Sequence, residues 1–301
     1  MSDTTPLVLV GSMTHSFSTY PDRIKEGYGG GASHGGKAAA ALNIPTTIIT
    51  IGADDIEPGL EDLRKLGLKT IRIKRNASNN FSNDYRTENR KLRCRSFFTD
   101  PFSAKDFEQK LTCDAVILFP GLREISGDTI SEFDAKTVFL DVGGLTREIG
   151  EKNEEGLFPI IQGHWKSIDE FRGKVDILKV SHEDLENIEF PKNIKSEAEK
   201  VQNLADNGFP VVLFTRGEKP TILARKAQPI VEIPAFELEG GDPAGAGEVF
   251  SVGFVGEYLK TSDPIRAAAF GNACASFKMA GENYDYNKAK QRAEKILQTT
   301  S

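Results

Sequence analysis

Short apolar runs rich in β-branched residues alternate with polar, helix-like segments from about residue 100 onward. The runs are AVILF at 115–119, TVFLDV at 137–142, VDILKV at 175–180 and VVLFT at 211–215. This alternation is typical of a parallel sheet wrapped by helices, because each parallel strand needs a crossover connection before the next. LVLV at 7–10 is expected to join the same sheet. The sequence therefore predicts an α/β fold with a parallel sheet.

The N-terminal third departs from this pattern. TTIITIG at 46–52, KTIRIKR at 69–75 and NFSNDYRTENRKLRCRSFF at 80–98 resemble antiparallel strands inserted into the chain. In the last segment Tyr85, Leu92 and Cys94 alternate with polar neighbours around TEN, as in a two-sided hairpin. We predict one domain over residues 1–301, with a small β lid built from inserts within about 12–30 and 70–98.

Composition excludes several classes of protein. Lys and Arg total 38 against 44 Asp and Glu, so a net charge of −6 argues against nucleic acid as a partner. No apolar run approaches the ~18 residues of a membrane span. The three cysteines are scattered without a CxxC pair, which indicates a reducing compartment. We expect a cytoplasmic protein with no membrane partner.

The segment GAGE at 245–248 is the strongest chemical motif. It opens one helix-like segment, 245–260, which a second follows at 263–280. Gly245, Ala246 and Gly247 can turn successive backbone amides toward an anion, and the positive end of the following helix favours negative charge there. Taken alone, Glu248 also suits an ordinary first-turn acid, worth ~0.3–1 kcal/mol to its helix.

GASHGGKA at 31–38 fits the spacing of a phosphate-binding P-loop but fails on context. Residue 38 is alanine where a Ser or Thr hydroxyl would bind magnesium, and no hydrophobic strand precedes the segment. A tight YGGG turn that exposes amides, followed by a helix over about 32–42, is the preferred interpretation. A plain glycine turn into a helix explains the stretch equally well.

DPAGAGEVF at 242–250 resembles the C-terminal signature of the PfkB, or ribokinase-like, carbohydrate kinases. Other segments are similar to family motifs in the same order: YGGGASHGGKAAAALNI, IGADD, VILFPG, VVLFTRGEKPTIL and AAAFGNACASFKM. Two further segments, DVGGLTR at 141–147 and LKVSHEDL at 178–185, resemble the branch that contains plant myo-inositol kinase and archaeal relatives. The resemblance covers nearly the whole chain.

The resemblance implies a ribokinase-like fold and magnesium-dependent transfer of the γ-phosphoryl group of ATP to a hydroxyl of a small sugar or polyol. It implies that Glu248 is the catalytic base and that the amides of Gly245, Ala246 and Gly247 hold the transferred phosphate. It also implies a homodimer formed through the lid. The remaining implied roles are Ser181, Thr215, Gly217, Asn272 and Ser276 for the nucleotide, Asp184 for magnesium through water, and Ser16, Gly29, Gly30, His34, Phe81 and Tyr85 for the acceptor.

Three positions depart from the family pattern. Ser16 stands where many sugar-binding members have Asp, His34 where many have Asn, and Glu248 where the catalytic Asp is usual. Fixed carboxylate and amide groups recognise polyols, so these changes predict an unusual acceptor pocket. His34 could bond an acceptor hydroxyl or simply pack.

Two alternative functions stay open. A nucleotide-binding pseudokinase would keep the GAG segment without turnover, and the altered acid is compatible with it. A nucleoside kinase is the enzymatic alternative, because Phe81 and Tyr85 of the lid could stack a base.

Overall fold

The structure, a computed structural model, describes residues 5–86, 91–238, 241 and 243–300. The strands of this part of the chain form two sheets. The large sheet contains β1 (Thr5–Gly11), β4 (Thr46–Gly52), β5 (Lys69–Lys74), β8 (Leu111–Phe119), β9 (Phe133–Asp141), β12 (Ile177–Ser181), β13 (Val211–Arg216), β14 (Lys219–Arg225) and β15 (Val231–Ile233). The lid sheet contains β2 (Thr14–Thr19), β3 (Ile24–Gly29), β6 (Asn80–Asp84), β7 (Lys91–Ser96), β10 (Arg147–Ile149) and β11 (Phe158–Gln162).

The strand order of the large sheet is β15-β14-β13-β12-β9-β8-β1-β4-β5. From β13 to β5 the neighbouring strands are parallel, and β14 and β15 add an antiparallel edge. The parallel sheet predicted from the alternating apolar runs is therefore confirmed, including the strand at 7–10.

Helices cover both faces of the large sheet. They are α1 (Gly30–Ala41), α2 (Glu57–Lys65), α3 (Gly127–Ile130), α4 (His182–Leu185), α5 (Glu197–Asp206), α6 (Ala246–Thr261), α7 (Pro264–Ala280) and α8 (Tyr286–Gln298). In β1, Leu7 and Leu9 join the core beneath α1, α6 and α7, whereas Val8 and Val10 join the core on the opposite face. This burial on both faces explains why the parallel strands read as continuous apolar runs.

The small residues of α6 and α7 allow the two helices to pack closely. A Cβ added at Gly253 would lie 2.9 Å from Sγ of Cys274, and one added at Gly271 would lie 2.9 Å from the carbonyl oxygen of Phe250. Both predicted C-terminal helices are present. Among the described residues, no helix has the length and apolar character that a membrane crossing requires.

Two predicted lid strands belong to the large sheet, and that part of the prediction was wrong. β4 pairs in parallel with β1, and β5 pairs in parallel with β4. All seven residues of β4 are buried, as expected for a central strand with both faces covered. The segment between β4 and β5 contains α2, the crossover helix that parallel neighbours need.

The lid sheet has the order β10-β11-β7-β6-β2-β3. The predicted hairpin at 80–98 is present as antiparallel β6 and β7, while the end of its turn, residues 87–90, lies outside the described residues. The insert at 12–30 supplies β2 and β3. Strands β10 and β11 were not predicted, because they are short and only partly buried.

Candidate active site

A cleft of about 190 Å³ lies between the lid sheet and the carboxyl ends of β1, β8, β9 and β12. Ligands of open α/β sheets bind at this edge, where parallel strands end and side chains of successive loops meet. The cleft is lined by Ser12, Thr14, Gly30, Gly31, Phe81, Phe119, Pro120, Gly121, Asp141, Gly143, Arg147, Gln162, Lys179, Ser181, Glu183, Asp184 and Glu248.

Glu248 enters the cleft from the first turn of α6. Gly245 is the N-cap of that helix and has a left-handed backbone with φ of 84°, a conformation that favours glycine. A Cβ at Gly245 would also lie 2.6 Å from Cγ of His34, so no side chain fits there. Residues 245–247, here called the anion nest, start the helix at its positive end beside Glu248. The amide of Ala246 donates to the carbonyl of Pro243 at 3.0 Å, so its predicted bond to a phosphate was wrong, and an anion here would meet the amides of Gly245 and Gly247.

A buried lysine lies next to the anion nest. Nζ of Lys179 is 2.7 Å from Oδ2 of Asp141, and only 5% and 12% of the two side chains are exposed. A Cβ at Gly247 would lie 3.2 Å from Nζ of Lys179. An anion bound at the nest would therefore meet a buried ammonium group as well as backbone amides.

Asp141, Lys179, Asp184 and Glu248 form a charge cluster with three carboxylates and one ammonium. Burial raises the pKa of Asp141, as do the charges of Glu248 and Asp184, against the opposing effect of Lys179. Burial alone would lower the pKa of Lys179, but Asp141, with smaller contributions from Asp184 and Glu248, raises it above 10.5. Because its pKa is raised, Lys179 is protonated at neutral pH.

Asp184 holds the start of α4. Its Oδ2 accepts hydrogen bonds from the amide and hydroxyl of Ser181 at 2.9 and 2.6 Å, and its Oδ1 accepts one from Thr146 at 2.9 Å. In the described part of the chain, no three His, Cys, Asp or Glu side chains group closely enough to hold a metal ion. Mg²⁺ at this site would therefore depend on phosphate oxygens and water with one or two carboxylates, which is common for this ion.

The predicted acceptor residues divide into two groups. Gly30 and Phe81 line the cleft. Ser16, Gly29 and His34 are not among the residues that line it: Oγ of Ser16 is 2.9 Å from Oγ1 of Thr14, a lining residue, and a Cβ at Gly29 would lie 3.5 Å from Nε2 of His34.

Tyr85 is not among the residues that line the cleft. Its ring stacks on Tyr20 with 5.1 Å between centroids and 7° between planes. The two aromatic residues predicted to contact the acceptor are thus separated, since Phe81 alone lines the cleft.

The predicted nucleotide residues other than Ser181 do not line the cleft. Oγ1 of Thr215 donates to the carbonyl of Val180 at 3.5 Å, and Gly217 lies in the β13–β14 turn with φ of 65°. The side chains of Asn272 and Ser276 are buried and hydrogen-bonded within the protein. Of the predicted site residues, the cleft therefore brings together Glu248, Gly30, Phe81, Ser181 and Asp184. Thr215, Gly217, Asn272 and Ser276 are not part of its lining.

Several cleft residues were missed by the sequence reasoning. Asp141, Arg147 and Lys179 lie inside the segments DVGGLTR and LKVSHEDL. For Asp141 and Lys179 the available signal was a polar residue at or near the end of a buried strand, whereas Arg147 begins the partly buried β10. Glu124 is not part of any motif quoted from the sequence, so nothing in the sequence marked it as a site residue. It is 1% exposed and accepts hydrogen bonds from the amide and hydroxyl of Ser12 at 3.1 and 2.7 Å and from the amide of Gly121 at 2.8 Å, which fixes the floor of the cleft.

Known proteins share this architecture. A pyrophosphate-dependent kinase in the ribokinase family, complexed with a pyrophosphate analogue and myo-inositol, has a TM-score of 0.74 at 20% identity, covering 95% of this chain and 99% of that chain. Arabidopsis thaliana ribokinase complexed with ribose and ATP has a TM-score of 0.72 at 17% identity, covering 98% and 99%. These likenesses confirm the predicted ribokinase-like α/β fold.

In sequence, a nucleoside kinase of Methanothermobacter thermautotrophicus is 29% identical over 115 residues, which is 38% of this chain and 35% of that protein. The match thus spans about a third of the length of this curated relative. Residues 7–286 match the pfkB family carbohydrate kinases. Because this match covers nearly the whole chain, the protein belongs to the pfkB family of carbohydrate kinases.

Proposed function

We propose that this protein transfers a phosphoryl group from a phosphoanhydride donor to a hydroxyl of a small sugar or polyol. The observation that carries the proposal is the meeting of Glu248 and the buried ammonium of Lys179 in one cleft, with Gly247 of the anion nest beside that ammonium. A base, a set of amide donors and a fixed cation are the groups that phosphoryl transfer requires, since most of its catalysis comes from positioning and charge stabilisation.

In this mechanism the hydroxyl oxygen of the acceptor attacks phosphorus, and Glu248 accepts the hydroxyl proton. The amides of Gly245 and Gly247 and Nζ of Lys179 stabilise the charge on the phosphoryl oxygens. Mg²⁺, when bound, would neutralise phosphate charge, with Asp184 acting through water. Phe81 covers the acceptor from the lid and excludes water that would otherwise consume the donor.

Two observations support a polyol acceptor. The structural likeness includes a kinase complexed with myo-inositol, and the cleft presents hydroxyl, carboxylate and guanidinium groups from Ser12, Thr14, Asp141 and Arg147. A nucleoside acceptor is the second candidate, because Phe81 offers one ring face and a nucleoside kinase is similar over part of the sequence.

The test is phosphoester formation followed by ³¹P NMR. Wild-type protein with Mg²⁺ is incubated with ATP or inorganic pyrophosphate and with myo-inositol, other polyols, sugars or nucleosides. We expect a phosphomonoester signal with a polyol or sugar. A product with nucleosides alone would establish the second candidate, and no product with any pair would contradict kinase activity and favour a pseudokinase.

We also propose a cytoplasmic homodimer that forms through the lid. Ile24 in β3 and Ile161 in β11 are 71% and 48% exposed, which is unusual for large apolar side chains. The free cysteines Cys94, Cys113 and Cys274 suit a reducing compartment. Sedimentation of wild type and Ile24→Glu should show a dimer and a monomer respectively. A monomeric wild type would refute the dimer.

A further inference from the structure

The hydrogen-bonding groups of Asn272, which was predicted to flank a nucleotide base, are already paired within the protein. Its Oδ1 accepts a hydrogen bond from Oγ1 of Thr221 at 3.1 Å, and its Nδ2 donates to the carbonyl of Pro234 at 2.9 Å. The residue is 9% exposed. Recognition of a base edge at this side chain would break hydrogen bonds that are buried, which is costly.

Ser276, one turn later on α7, is paired as well. Its hydroxyl donates to the carbonyl of Ala273 at 2.6 Å and accepts from Nη1 of Arg292 at 2.7 Å. Ser276 is 3% exposed. Neither predicted base-contacting side chain is therefore available to a ligand.

Arg292 of α8 also covers the aromatic surface beside these residues. Its guanidinium carbon lies 3.9 Å from the ring centroid of Phe277 and 4.7 Å from that of Phe236. Both oxygens of Glu282 accept from its Nη2 at 2.8 and 2.9 Å, which fixes the group in place. One face of each ring is thus covered by a cation and closed to a stacking base.

The cleft itself suits a small, highly charged donor. Its volume of about 190 Å³ is below the roughly 300–1,000 Å³ of pockets that hold drug-sized ligands. The lining includes the acids Asp141, Glu183, Asp184 and Glu248, next to which a diphosphate would need Mg²⁺ as a counter-ion. Lys179 and Arg147 contribute two cations to the lining, and Lys179 lies beside Gly247 of the anion nest. These groups bind phosphate oxygens and need no base or ribose.

ATP therefore does not fit the residues expected to hold its base, and we infer that the donor is a phosphoanhydride without a nucleoside, such as inorganic pyrophosphate. This inference rests on the proposed function. The acceptor oxygen forms a bond to one phosphorus, the bond from that phosphorus to the bridging oxygen breaks, and orthophosphate leaves. The hydroxyl proton passes to Glu248, so that atoms and charge balance.

The first experiment measures binding without turnover. Calorimetry compares methylenediphosphonate, a non-hydrolysable pyrophosphate analogue, with the β,γ-methylene analogue of ATP, both with Mg²⁺ and at one ionic strength. We expect the pyrophosphate analogue to bind about tenfold tighter or more, a difference of ~1.4 kcal/mol. Equal or tighter binding of the ATP analogue, or no binding of methylenediphosphonate, would overturn the inference.

The second experiment opens the base region. Arg292→Ala, with Arg292→Gln as a milder variant, should raise affinity for the ATP analogue by about tenfold and leave methylenediphosphonate within about twofold. Arg266→Ala is the matched control, because Arg266 pairs with Glu257 and Glu294 away from Phe236 and Phe277. Folded Arg292 variants that bind the ATP analogue no better than wild type would overturn the inference.

The two proposals fail in different ways. If methylenediphosphonate binds preferentially but no acceptor is phosphorylated, the proposed function is wrong, and only the preference of the protein for a diphosphate without a nucleoside stands. If ATP phosphorylates an acceptor and the ATP analogue binds at least as tightly as methylenediphosphonate, the function stands and the donor inference is wrong.

Discussion

Lys179 is the residue that most changes the account of the site. Its ammonium group lies beside the anion nest and is bonded to Asp141, which is 38 positions away in the sequence. Sequence spacing predicted Glu248 and the three nest residues because they are contiguous. It did not predict Lys179, since the partner that holds the lysine comes from another strand and only the fold brings them together.

Replacing Lys179 should separate folding from catalysis. Lys179→Met leaves Asp141 buried without a partner, which we expect to cost about 3–5 kcal/mol of unfolding free energy. Lys179→Met combined with Asp141→Leu removes both charges and should recover most of that stability. Turnover should stay low in both, because the cation is gone. Chemical denaturation and an activity assay measure the two effects.

A double variant that regains stability and turnover together would contradict the catalytic role of Lys179. Lys65→Met is a suitable control, since Lys65 pairs with Asp62 on the exposed surface of α2. It should change neither quantity appreciably, as exposed pairs contribute about 0–1 kcal/mol.

The Lys179–Asp141 pair predicts that stability depends on pH. The pKa of Lys179 is raised above 10.5 in the folded protein, so its contribution to stability is complete below 10.5 and is lost as pH rises through the raised value. Wild type should therefore lose stability more steeply above pH 10.5 than the Lys179→Met, Asp141→Leu protein. Denaturation midpoints measured between pH 9 and pH 11.5 test this, and parallel curves would contradict it.

At the scale of elements, the turn before α6 has a specific glycine requirement. Gly245 and Gly67 have nearly equal positive φ angles, 84° and 85°, but a Cβ meets His34 at the first and open space at the second. Alanine at either position should cost about 1–2 kcal/mol of backbone strain.

Gly245→Ala should also lose about 10²–10³-fold in turnover, because the displaced amides no longer face the phosphate. Gly67→Ala is the matched control and should keep its turnover. Thermal unfolding and kinetics of the two variants provide the comparison, and equal turnover would remove the anion nest from the mechanism.

The lid sheet is expected to act through Phe81. This residue is 7% exposed and lines the cleft from β6. Phe81→Ala should raise the KM for the acceptor or increase donor hydrolysis, because water enters the opened cleft. Phe17→Ala, in the neighbouring strand β2 with its ring beneath Arg95, is the control. Unchanged KM and hydrolysis in Phe81→Ala would contradict a covering role.

Periodicity predicted some elements and not others for physical reasons. The strands at 115–119, 137–142, 175–180 and 211–215 are buried on both faces, so their composition alone indicates a parallel sheet. β4 has the same character, but its place beside the lid inserts led to a wrong assignment. β10 and β11 are short strands: β10 pairs with β11 and β11 with β7, and local sequence does not reveal this long-range pairing.

At the scale of the whole molecule, the three cysteines lie buried in the described structure. Burial raises the pKa of the Cys94 thiol to about 12 and that of Cys113 to about 11, and burial raises that of Cys274 as well. At pH 8 all three should remain protonated and inaccessible. A colorimetric disulfide reagent should therefore react only after unfolding, and rapid reaction of the native protein would contradict this burial.

The ribokinase-like architecture was predictable because its motifs occur in order along nearly the whole chain. The acceptor and donor were less predictable, since they depend on which side chains face the cleft. Ser16, His34 and Tyr85 were expected at the acceptor, yet they are not among the residues that line the cleft: Ser16 bonds Thr14, and Tyr85 stacks on Tyr20. Side-chain direction is a property of the assembled sheets, not of the motif.

The central claim is that Glu248 is the base of a phosphoryl-transfer site, and its substitution tests the claim most directly. Glu and Asp have similar reference pKa values, about 4.3 and 3.9, so Glu248→Asp keeps the chemistry and moves the oxygens by roughly an ångström. That variant should gain turnover only if the pocket suits the shorter acid.

The decisive measurement is the rate of phosphoester formation by folded Glu248→Gln with the best acceptor found, compared with wild type and with the exposed-acid control Glu61→Gln. We predict a loss of about 10²–10⁴-fold in Glu248→Gln, because no group accepts the hydroxyl proton. The control should keep its rate. Full activity of Glu248→Gln would show that this acid only stabilises the start of α6 and would contradict the account.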